Sequence, residues 1–387
     1  MDGSVITGAK AEEILKEARA RFKLAVDAES NNREQALDDL KFLNGEQWDE
    51  QALKFRKGRP CLTINRLPQF VRQVVNEQRK TRPAIEVIPG DSKASKPTAE
   101  VIQGLVRHIE RSSRARIAYD TAFEYAVSCG FGHFRVTTRY VDDESFDQEI
   151  AIETIDNPFV VYRDPAAKEL DHSDDQFTFV SEFVDPEEFE EKYGFKPSSF
   201  EESGRGDSDA LWWDSEKVRV AEYWRVECED SEIHALSDGN TITGAITSEM
   251  RATLAEMGVT VKASRKTEKR TIEQYLITHD KVIKNSEWKG KYIPILTSLG
   301  GVLNIEGERK ISSLVRFAKD PARMYNYWAS SETELVALQP KAPWIAPEGS
   351  FDGHEAKWSR ANNDNVAYLE YVPIEGQQGP QRQIFGG

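Results

Sequence analysis

The sequence lacks any run of about eighteen apolar residues, the length that a membrane-spanning helix needs. It therefore predicts no membrane span. Its first residues show no basic stretch followed by an apolar one, so we expect no signal peptide. Cysteine is rare, and Cys61, Cys129 and Cys228 are odd in number and too far apart for a zinc site. Free thiols in a reducing compartment are the expectation.

Motifs of common catalytic sites are missing too. There is no G-x-x-x-x-G-K-S/T, so the chain is not a P-loop motor, and there is no G-x-S-x-G of serine hydrolases. The glycines between Cys129 and His133 follow a predicted helix and precede a strand, which reverses the order of a dinucleotide-binding turn. A tight helix-to-strand turn explains them better. No third residue is evident that would orient Cys129 and His133 as nucleophile and base.

Two acidic clusters were weighed as metal sites. Residues 171–175 lack the spacing of a calcium loop, so a solvated acidic loop is favoured there. Asp142, Asp143 and Glu144 keep one alternative open, a metal-dependent nucleic-acid-processing enzyme or its regulatory subunit. Apart from that alternative, the sequence predicts no catalytic residue, no metal ligand and no cofactor.

The net charge of −15 argues against a protein that grips nucleic acid over its whole surface. The charge is unevenly spread, however. Between residues 51 and 116 basic residues outnumber acidic ones by about three to one, residues 142–232 are acidic, and residues 262–291 are basic again. Ordinary solvated faces explain such islands most simply, although an acidic protein with basic islands can also repel a polyanion in one place and contact it in another.

Hydrophobic periodicity predicts a mixed α+β protein. Residues 85–88 read as a strand, and a second β-rich region follows the long helical segment in the first half of the chain. The predicted helices are 8–30, 32–42, 67–80, 97–128, 185–193, 247–257 and 308–338. The predicted strands lie in 134–141, 149–155, 160–162, 177–184, 218–228, 259–282 and 293–295. Asp320-Pro321 should kink or reset the last helix, and residues 375–387 read as an unstructured tail.

Basic and aromatic residues interleave in the last predicted helix. Helical spacing places Arg316, Lys319 and Arg323 near one side, with the aromatic residues on other sides. From the residues alone, an interfacial helix with an aromatic packing face is favoured over a nucleic-acid contact.

Two stretches resemble the podovirus-type, P22-like portal proteins of tailed phages. Residues 40–89, which begin LKFLNGEQWDEQ, resemble the N-terminal signature of that family. Residues 315–345, VRFAKDPARMYNYW through PKAPWI, resemble its long helix and the segment after it. Residues 156–177 between them also resemble the family, so the resemblance covers nearly the whole chain.

The resemblance implies a portal fold with an α/β wing, a helical stem and a strand-containing clip. The implied segments are 1–245 as wing, 246–307 as short stem helix and clip, 308–345 as long kinked stem or channel helix, and 346–387 as a return to the wing and flexible tail. The crown and barrel of the family are expected to be absent or truncated.

The resemblance also implies a structural role rather than an enzymatic one. The chain would form a ring, usually of twelve subunits, at one capsid vertex, and double-stranded DNA would be packaged and later ejected through it. Expected partners are further copies of the chain, the large terminase, major capsid and scaffolding proteins, and a tail adaptor, in a virion assembled in the host cytoplasm.

Three groups of candidate residues follow from this resemblance. For each basic residue an intersubunit salt bridge is an equally good explanation. The DNA-channel candidates are Arg316, Lys319 and Arg323. The clip candidates, which would meet terminase or adaptor, are Lys262, Arg265, Lys266, Lys269 and Arg270. The subunit-interface candidates are Tyr325, Tyr327 and Trp328.

Overall fold

The computed structural model describes residues 8–82, 84–90, 95–197, 210–214, 217–338, 343–361 and 367–382. Within these residues the helices are α1 (Ala9–Asn44), α2 (Glu50–Phe55), α3 (Leu67–Lys80), α4 (Lys96–Ser112), α5 (Ala115–Cys129), α6 (Pro186–Tyr193), α7 (Ser248–Glu256), α8 (Leu314–Leu338) and α9 (Glu355–Arg360). Short 3-10 turns lie at Pro158–Val160 and Ala210–Trp212.

The strands of these described residues form four antiparallel sheets. They are β1 (Phe131–Tyr140), β2 (Gln148–Ile155), β3 (Val161–Arg163), β4 (Phe177–Val184), β5 (Trp213–Asp214), β6 (Lys217–Leu236), β7 (Thr241–Thr243), β8 (Val261–Ile277), β9 (Val282–Trp288), β10 (Ile295–Leu299), β11 (Gly301–Ile305), β12 (Glu308–Ser312), β13 (Trp344–Ile345) and β14 (Gln381–Arg382). The largest sheet has the order β3-β4-β6-β8-β9, with β5 and β7 also paired to β6. The others are β10-β1-β2, β11-β12 and β13-β14.

The chain divides into two compact units. The first consists of Met1–Asp39 and Val71–Leu314, and the second of Leu40–Phe70 and Val315–Gly387. The second unit therefore unites parts of the two stretches that resemble the portal family. The division cuts across the four segments expected from the sequence, so wing, stem and clip stay predictions.

The core of the first unit lies between α1 and the large sheet. Phe22 of α1 is fully buried, and its ring meets Phe179 edge to face at 5.2 Å. Phe179 in turn stacks on Tyr223 at 4.6 Å. The α1 residues of this core are Ile14, Leu15, Ala18, Phe22 and Ala25. Their spacing of one, three or four residues gives α1 one continuous apolar face, and each large side chain buried there stabilises the fold by about 1.5–3 kcal/mol.

Glycine allows close packing where α5 meets the smaller sheet. Gly130 ends α5 in the left-handed region with φ 104°, as expected for the predicted helix-to-strand turn. Gly132 has a different role. A Cβ at Gly132 would lie far inside van der Waals contact with the carbonyl oxygen of Ala122, so β1 can approach α5 only without a side chain.

The general class and most of the predicted elements are confirmed. The helix predicted over 67–80 is α3, and the hairpin predicted over 134–155 is β1 and β2. The predicted start of α6 is confirmed as well, with Asp185 at the N-cap and Pro186 as the first helical residue.

Two predictions in the N-terminal part are wrong. The helices predicted over 8–30 and 32–42 form one 36-residue helix, α1, because no glycine or proline interrupts it. Asn32, near the expected break, bonds instead to the backbone of Arg309 and Ile311. Residues 85–88 are not a strand: the side chain of Gln103 on α4 pairs with their backbone, and no neighbouring strand does so.

Two further helix boundaries differ. The helix predicted over 97–128 breaks at Arg114, which has a left-handed φ of 53° and starts α5. The helix predicted from residue 308 starts at Leu314, because 308–312 pair with β11 as β12. Pro321 does not interrupt α8. It lies on the exposed side of the helix, where water can bond to the Phe317 carbonyl that loses its partner.

Candidate functional site

The five predicted clip residues lie on β8, along the long ribbon that this strand forms with β6. Strands β6 and β8 pair from Ala221 to Leu236, well past the last residue that β6 pairs with β4, Arg225. The inner half of the pair is buried, whereas most side chains of the outer half are exposed. We call residues 227–236 of β6 and 261–271 of β8 the outer ribbon. Both faces carry exposed side chains, with His234 and Leu236 buried at the far end, and such a ribbon suits contact with other molecules.

Strand geometry divides these basic residues between two faces. Successive side chains of a strand alternate, so Arg265 and Lys269 lie on one face of the outer ribbon. Lys262, Lys266 and Arg270 lie on the other. These basic residues form one island in the sequence, but in the structure their positive charge is divided between the two faces of the outer ribbon.

Acidic residues of β6 stand opposite these lysines. In the register of the pair, Lys266 faces Glu232 and Lys269 faces Glu229. Opposite charges on directly paired residues stabilise an antiparallel ribbon. The outer ribbon is therefore of mixed charge, which is better suited to a protein partner than to a nucleic acid.

Arg270 has a structural role within the chain. Its guanidinium donates to the carbonyl oxygens of Ser173, at 3.1 Å, and Asp175, at 2.9 Å. These bonds hold the 171–175 loop against β8. Of the five candidates, Arg270 is the one at the inner end of the outer ribbon and is partly buried.

The three predicted channel residues differ strongly in exposure. Arg323 is exposed and lies 3.5 Å from Asp320 in an ion pair. Arg316 is half-buried. Lys319 is only 8% exposed, and its ammonium lies 5.7 Å from the centre of the Phe42 ring. Within this chain Lys319 thus packs inward, so its predicted contact with DNA would require it to leave that position.

The three aromatic residues predicted for an interface are all largely exposed. The guanidinium of Arg66 lies 5.4 Å from the Tyr325 ring, and that of Arg56 lies 5.0 Å from the Tyr327 ring. Trp328 exposes the largest fraction of the three. Cation–π contacts within the chain therefore fix the positions of both tyrosines.

The second unit contains a buried polar network that the sequence pattern did not predict. Asn326 of α8 accepts from the backbone N–H of Ile64 at 2.9 Å, and Ser330 accepts from that of Leu62 at 2.9 Å. Asn326 also donates to Gln47 at 2.6 Å. These bonds attach the extended segment after α2 to α8, which helical periodicity cannot reveal because it marks only apolar positions.

A second buried network lies behind the acidic loop. Asp175 is fully buried and pairs with Arg163 at 2.6 Å, and it also contacts Thr178 and His172, each at 3.1 Å. Asp171 instead caps its own turn by accepting from Ser173 N–H. The loop is thus built on a buried ion pair rather than being a solvated acidic segment throughout.

Cys129 and His133 are engaged separately. The Cys129 thiol is directed to backbone carbonyls, whereas His133 Nδ1 lies 2.9 Å from Thr297 Oγ1. Burial, together with the positive charge of Arg163, holds the pKa of His133 well below its usual value. This arrangement favours a neutral structural histidine.

Among the described residues, no three or more His, Cys, Asp or Glu side chains are grouped closely enough to hold a metal ion. The helices of the described ranges also include none with the length and apolarity needed to cross a membrane. Asp142 accepts from the backbone N–H of Glu144 at 3.0 Å in an exposed turn between β1 and β2.

Two comparisons with known proteins bear on this chain. A family model described as the phage P22-like portal protein matches residues 19–385. A curated portal protein of Acyrthosiphon pisum secondary endosymbiont phage 1 is 25% identical over 380 residues, which cover 93% of this chain and 52% of that protein. The chain therefore spans about half the length of this relative.

Proposed function

Because the chain belongs to the P22-like portal protein family, we propose that it is a structural subunit of a phage portal ring. Double-stranded DNA would enter and leave the capsid through this ring. The observation that carries the proposal is the extent of the family match, which runs from residue 19 to residue 385 and so includes both compact units. The partners we propose are further copies of the chain, the large terminase, capsid and scaffolding proteins, and a tail adaptor.

Closed rings are the usual result of head-to-tail contacts between identical chains. We propose about twelve subunits, the number usual in the family, at one vertex of the virion. Assembly would take place in the host cytoplasm.

We propose the outer ribbon as the clip that meets terminase or adaptor. Its support is the exposed side chains on both faces and the mixed charge of its paired strands. Lys262, Arg265, Lys266 and Lys269 are the proposed contacts. Arg270 is proposed to support the ribbon from its inner end, because its guanidinium is already bonded to the 171–175 loop.

We propose that DNA contacts are few, weak and independent of sequence. A chain of charge −15 repels phosphate overall, so that DNA can slide with little friction. Arg316 and Arg323 remain the proposed channel residues, with Arg323 favoured by its exposure. Lys319 is proposed instead as an internal contact of α8, because it is buried.

The proposed subunit-interface anchors are Tyr325, Tyr327 and Trp328. Aromatic residues carry a large share of the binding energy in protein interfaces. The exposure of all three in the single chain supports this role.

Size-exclusion chromatography followed by negative-stain electron microscopy tests the proposal. We expect a ring of about twelve subunits with a central hole. A parallel assay with magnesium and double-stranded DNA should detect no cleavage, and the variant Asp142→Asn/Asp143→Asn/Glu144→Gln should behave as the wild type in both assays. A monomer that cleaves DNA with magnesium, and loses that activity in this variant, would replace the portal proposal with the enzymatic alternative.

A further inference from the structure

Helix α8 presents two faces of opposite chemistry. The face that packs within the second unit is largely polar: Asn326 and Ser330 are buried and bonded to Ile64 and Leu62. Lys319 lies on the same side. A helix of a monomeric protein normally turns its apolar face to the core and its polar face to water.

The outward face of α8 is apolar. Phe317, Met324, Trp328 and Leu335 expose between 53% and 70% of their surface, and Pro321 lies among them. We call these five residues the α8 stripe. Their spacings along the chain are four, three, four and seven residues. This is the a/d repeat of helices that pack against another helix through interlocking side chains.

A continuous apolar stripe of this kind indicates a covered surface. It extends over about 27 Å of helix at 1.5 Å per residue. Exposed patches of large apolar side chains on soluble proteins mark sites of association. The heptad-like spacing adds that the contacting element is a helix rather than a sheet or a loop.

A second exposed apolar helix face occurs on α4. Val101, Ile102 and Leu105 expose between 44% and 73% of their surface, and we call these three residues the α4 face. The three residues span about 6 Å of helix, within the 17 residues of α4, so the α4 face is shorter than the α8 stripe.

We propose that the α8 stripe packs on the α4 face of a second copy of this chain. Head-to-tail association needs two different surfaces on each chain, because one surface of each chain binds the other surface of the next. These two helical faces provide such a pair, because both are apolar and exposed in the single chain. The inference rests on the proposed ring, in which repeated head-to-tail contact covers both faces in every subunit.

The oxidation of methionine tests whether the α8 stripe is covered. Dilute hydrogen peroxide converts exposed methionine to its sulfoxide, which peptide mass spectrometry measures at each position. In the wild-type assembly we expect Met324 to oxidise about tenfold more slowly than in a monomeric Leu105→Glu chain, because burial restricts access of the oxidant. Met257 on α7, which is 70% exposed and belongs to neither face, provides the internal control.

Mixing two variants tests which faces meet. Trp328→Glu disrupts the α8 stripe and Leu105→Glu disrupts the α4 face, and both residues are exposed in the single chain. Each variant alone should remain monomeric in sedimentation velocity. Mixed together they should form a heterodimer, because the intact α8 stripe of one can bind the intact α4 face of the other. Thr333→Glu, an exposed change on α8 away from the stripe, should assemble as the wild type.

The outcomes separate this inference from the proposed function. Wild-type rings in which Met324 oxidises at the monomer rate would refute the inference and leave the portal proposal intact. If Met324 is protected from oxidation in the wild-type ring but the two variants form no heterodimer when mixed, α4 is not the face that binds the α8 stripe. Assembly of Leu105→Glu into rings would refute α4 in the same way. A wild-type chain that forms no ring would overturn the portal proposal itself. If a variant fails to fold, the oxidation rate of Met324 in the wild-type assembly still tests the inference. The dissociated wild-type chain then serves as the monomer reference.

Discussion

At the scale of single residues, the buried polar groups of the first unit depend on one another. His133 is buried, and the Thr297 hydroxyl beside its Nδ1 also accepts from Arg163 Nε at 2.8 Å. That hydroxyl can donate its hydrogen to Nδ1 only if the imidazole is neutral at this nitrogen. Burial and the nearby Arg163 and Arg33 guanidinium groups lower the pKa of His133 well below its usual value.

This lowered pKa predicts a loss of stability in acid. The unfolded chain binds the proton at the ordinary histidine pKa of about 6.5, whereas the folded chain resists it. The contribution is therefore fully present above pH ~6.5, and it decreases as the pH falls below that value, by at most about 1.4 kcal/mol per pH unit. The free energy of unfolding, measured in urea from pH 8 to pH 5, should decrease less steeply with falling pH in His133→Gln than in the wild type. His108→Gln, a change at an exposed histidine, should retain the wild-type slope.

At the scale of elements, the contact between α5 and β1 depends on a missing side chain. The backbone of Gly132 lies against the Ala122 carbonyl, leaving no room for a Cβ. Gly300, which directly follows β10, also lies against α5, since a Cβ there would lie 2.7 Å from the Ala126 carbonyl oxygen. Two segments of backbone thus approach one helix through glycine.

Gly132→Ala should therefore destabilise the first unit. Overpacking of a rigid backbone contact costs about 1–3 kcal/mol, and the helix backbone here cannot move aside as a flexible side chain could. Urea or thermal unfolding measures the change. Gly90→Ala is the matched control, since no atom lies near its added methyl group and its expected effect is within about 0.5 kcal/mol. Equal stability of the two variants would contradict the packing argument.

At the scale of the whole molecule, the balance between overall negative charge and a few cations sets the contact with DNA. Each lysine or arginine that meets a phosphate steepens the salt dependence of binding by about one unit in the slope of log K against log salt. The proposed channel residues Arg316 and Arg323 would thus account for about two units.

The double variant Arg316→Gln/Arg323→Gln should make this slope shallower by about two. Binding of the ring to a short duplex, measured by fluorescence anisotropy over a series of salt concentrations, gives the slope. Lys192→Gln/Lys196→Gln removes two exposed charges at and just after α6 and should change the slope little. An equal change in both variants would mean that net charge, rather than these two positions, governs the contact.

Local patterns predicted many elements because local geometry fixes them. Helix α3 and strand β4 follow from apolar spacing of the helical and strand type, and α6 from Asp185-Pro186. The failures have tertiary causes. Asn32, within α1, bonds to the distant β11–β12 hairpin. The side chain of Gln103 bonds to the backbone of residues 85–88 in place of a partner strand. Residues 308–312 pair with β11 and so form a strand.

The candidate residues show the same division. The sequence identified the basic residues of β8 and the aromatic residues of α8 by type and position. It could not predict that Lys266 faces Glu232, because the register of two distant strands sets that pairing. Nor could it predict that Lys319 packs inward and Trp328 outward, since an amphipathic pattern does not state which face meets the core.

By itself, the sequence determined the α+β class, most of the elements and the membership in a portal family, since these depend on residue type and spacing along the chain. Tertiary structure alone decided which charges are paired, which lysine is buried and which face of α8 remains open. Those properties depend on contacts between residues far apart in sequence, and such contacts form only when the whole chain has folded.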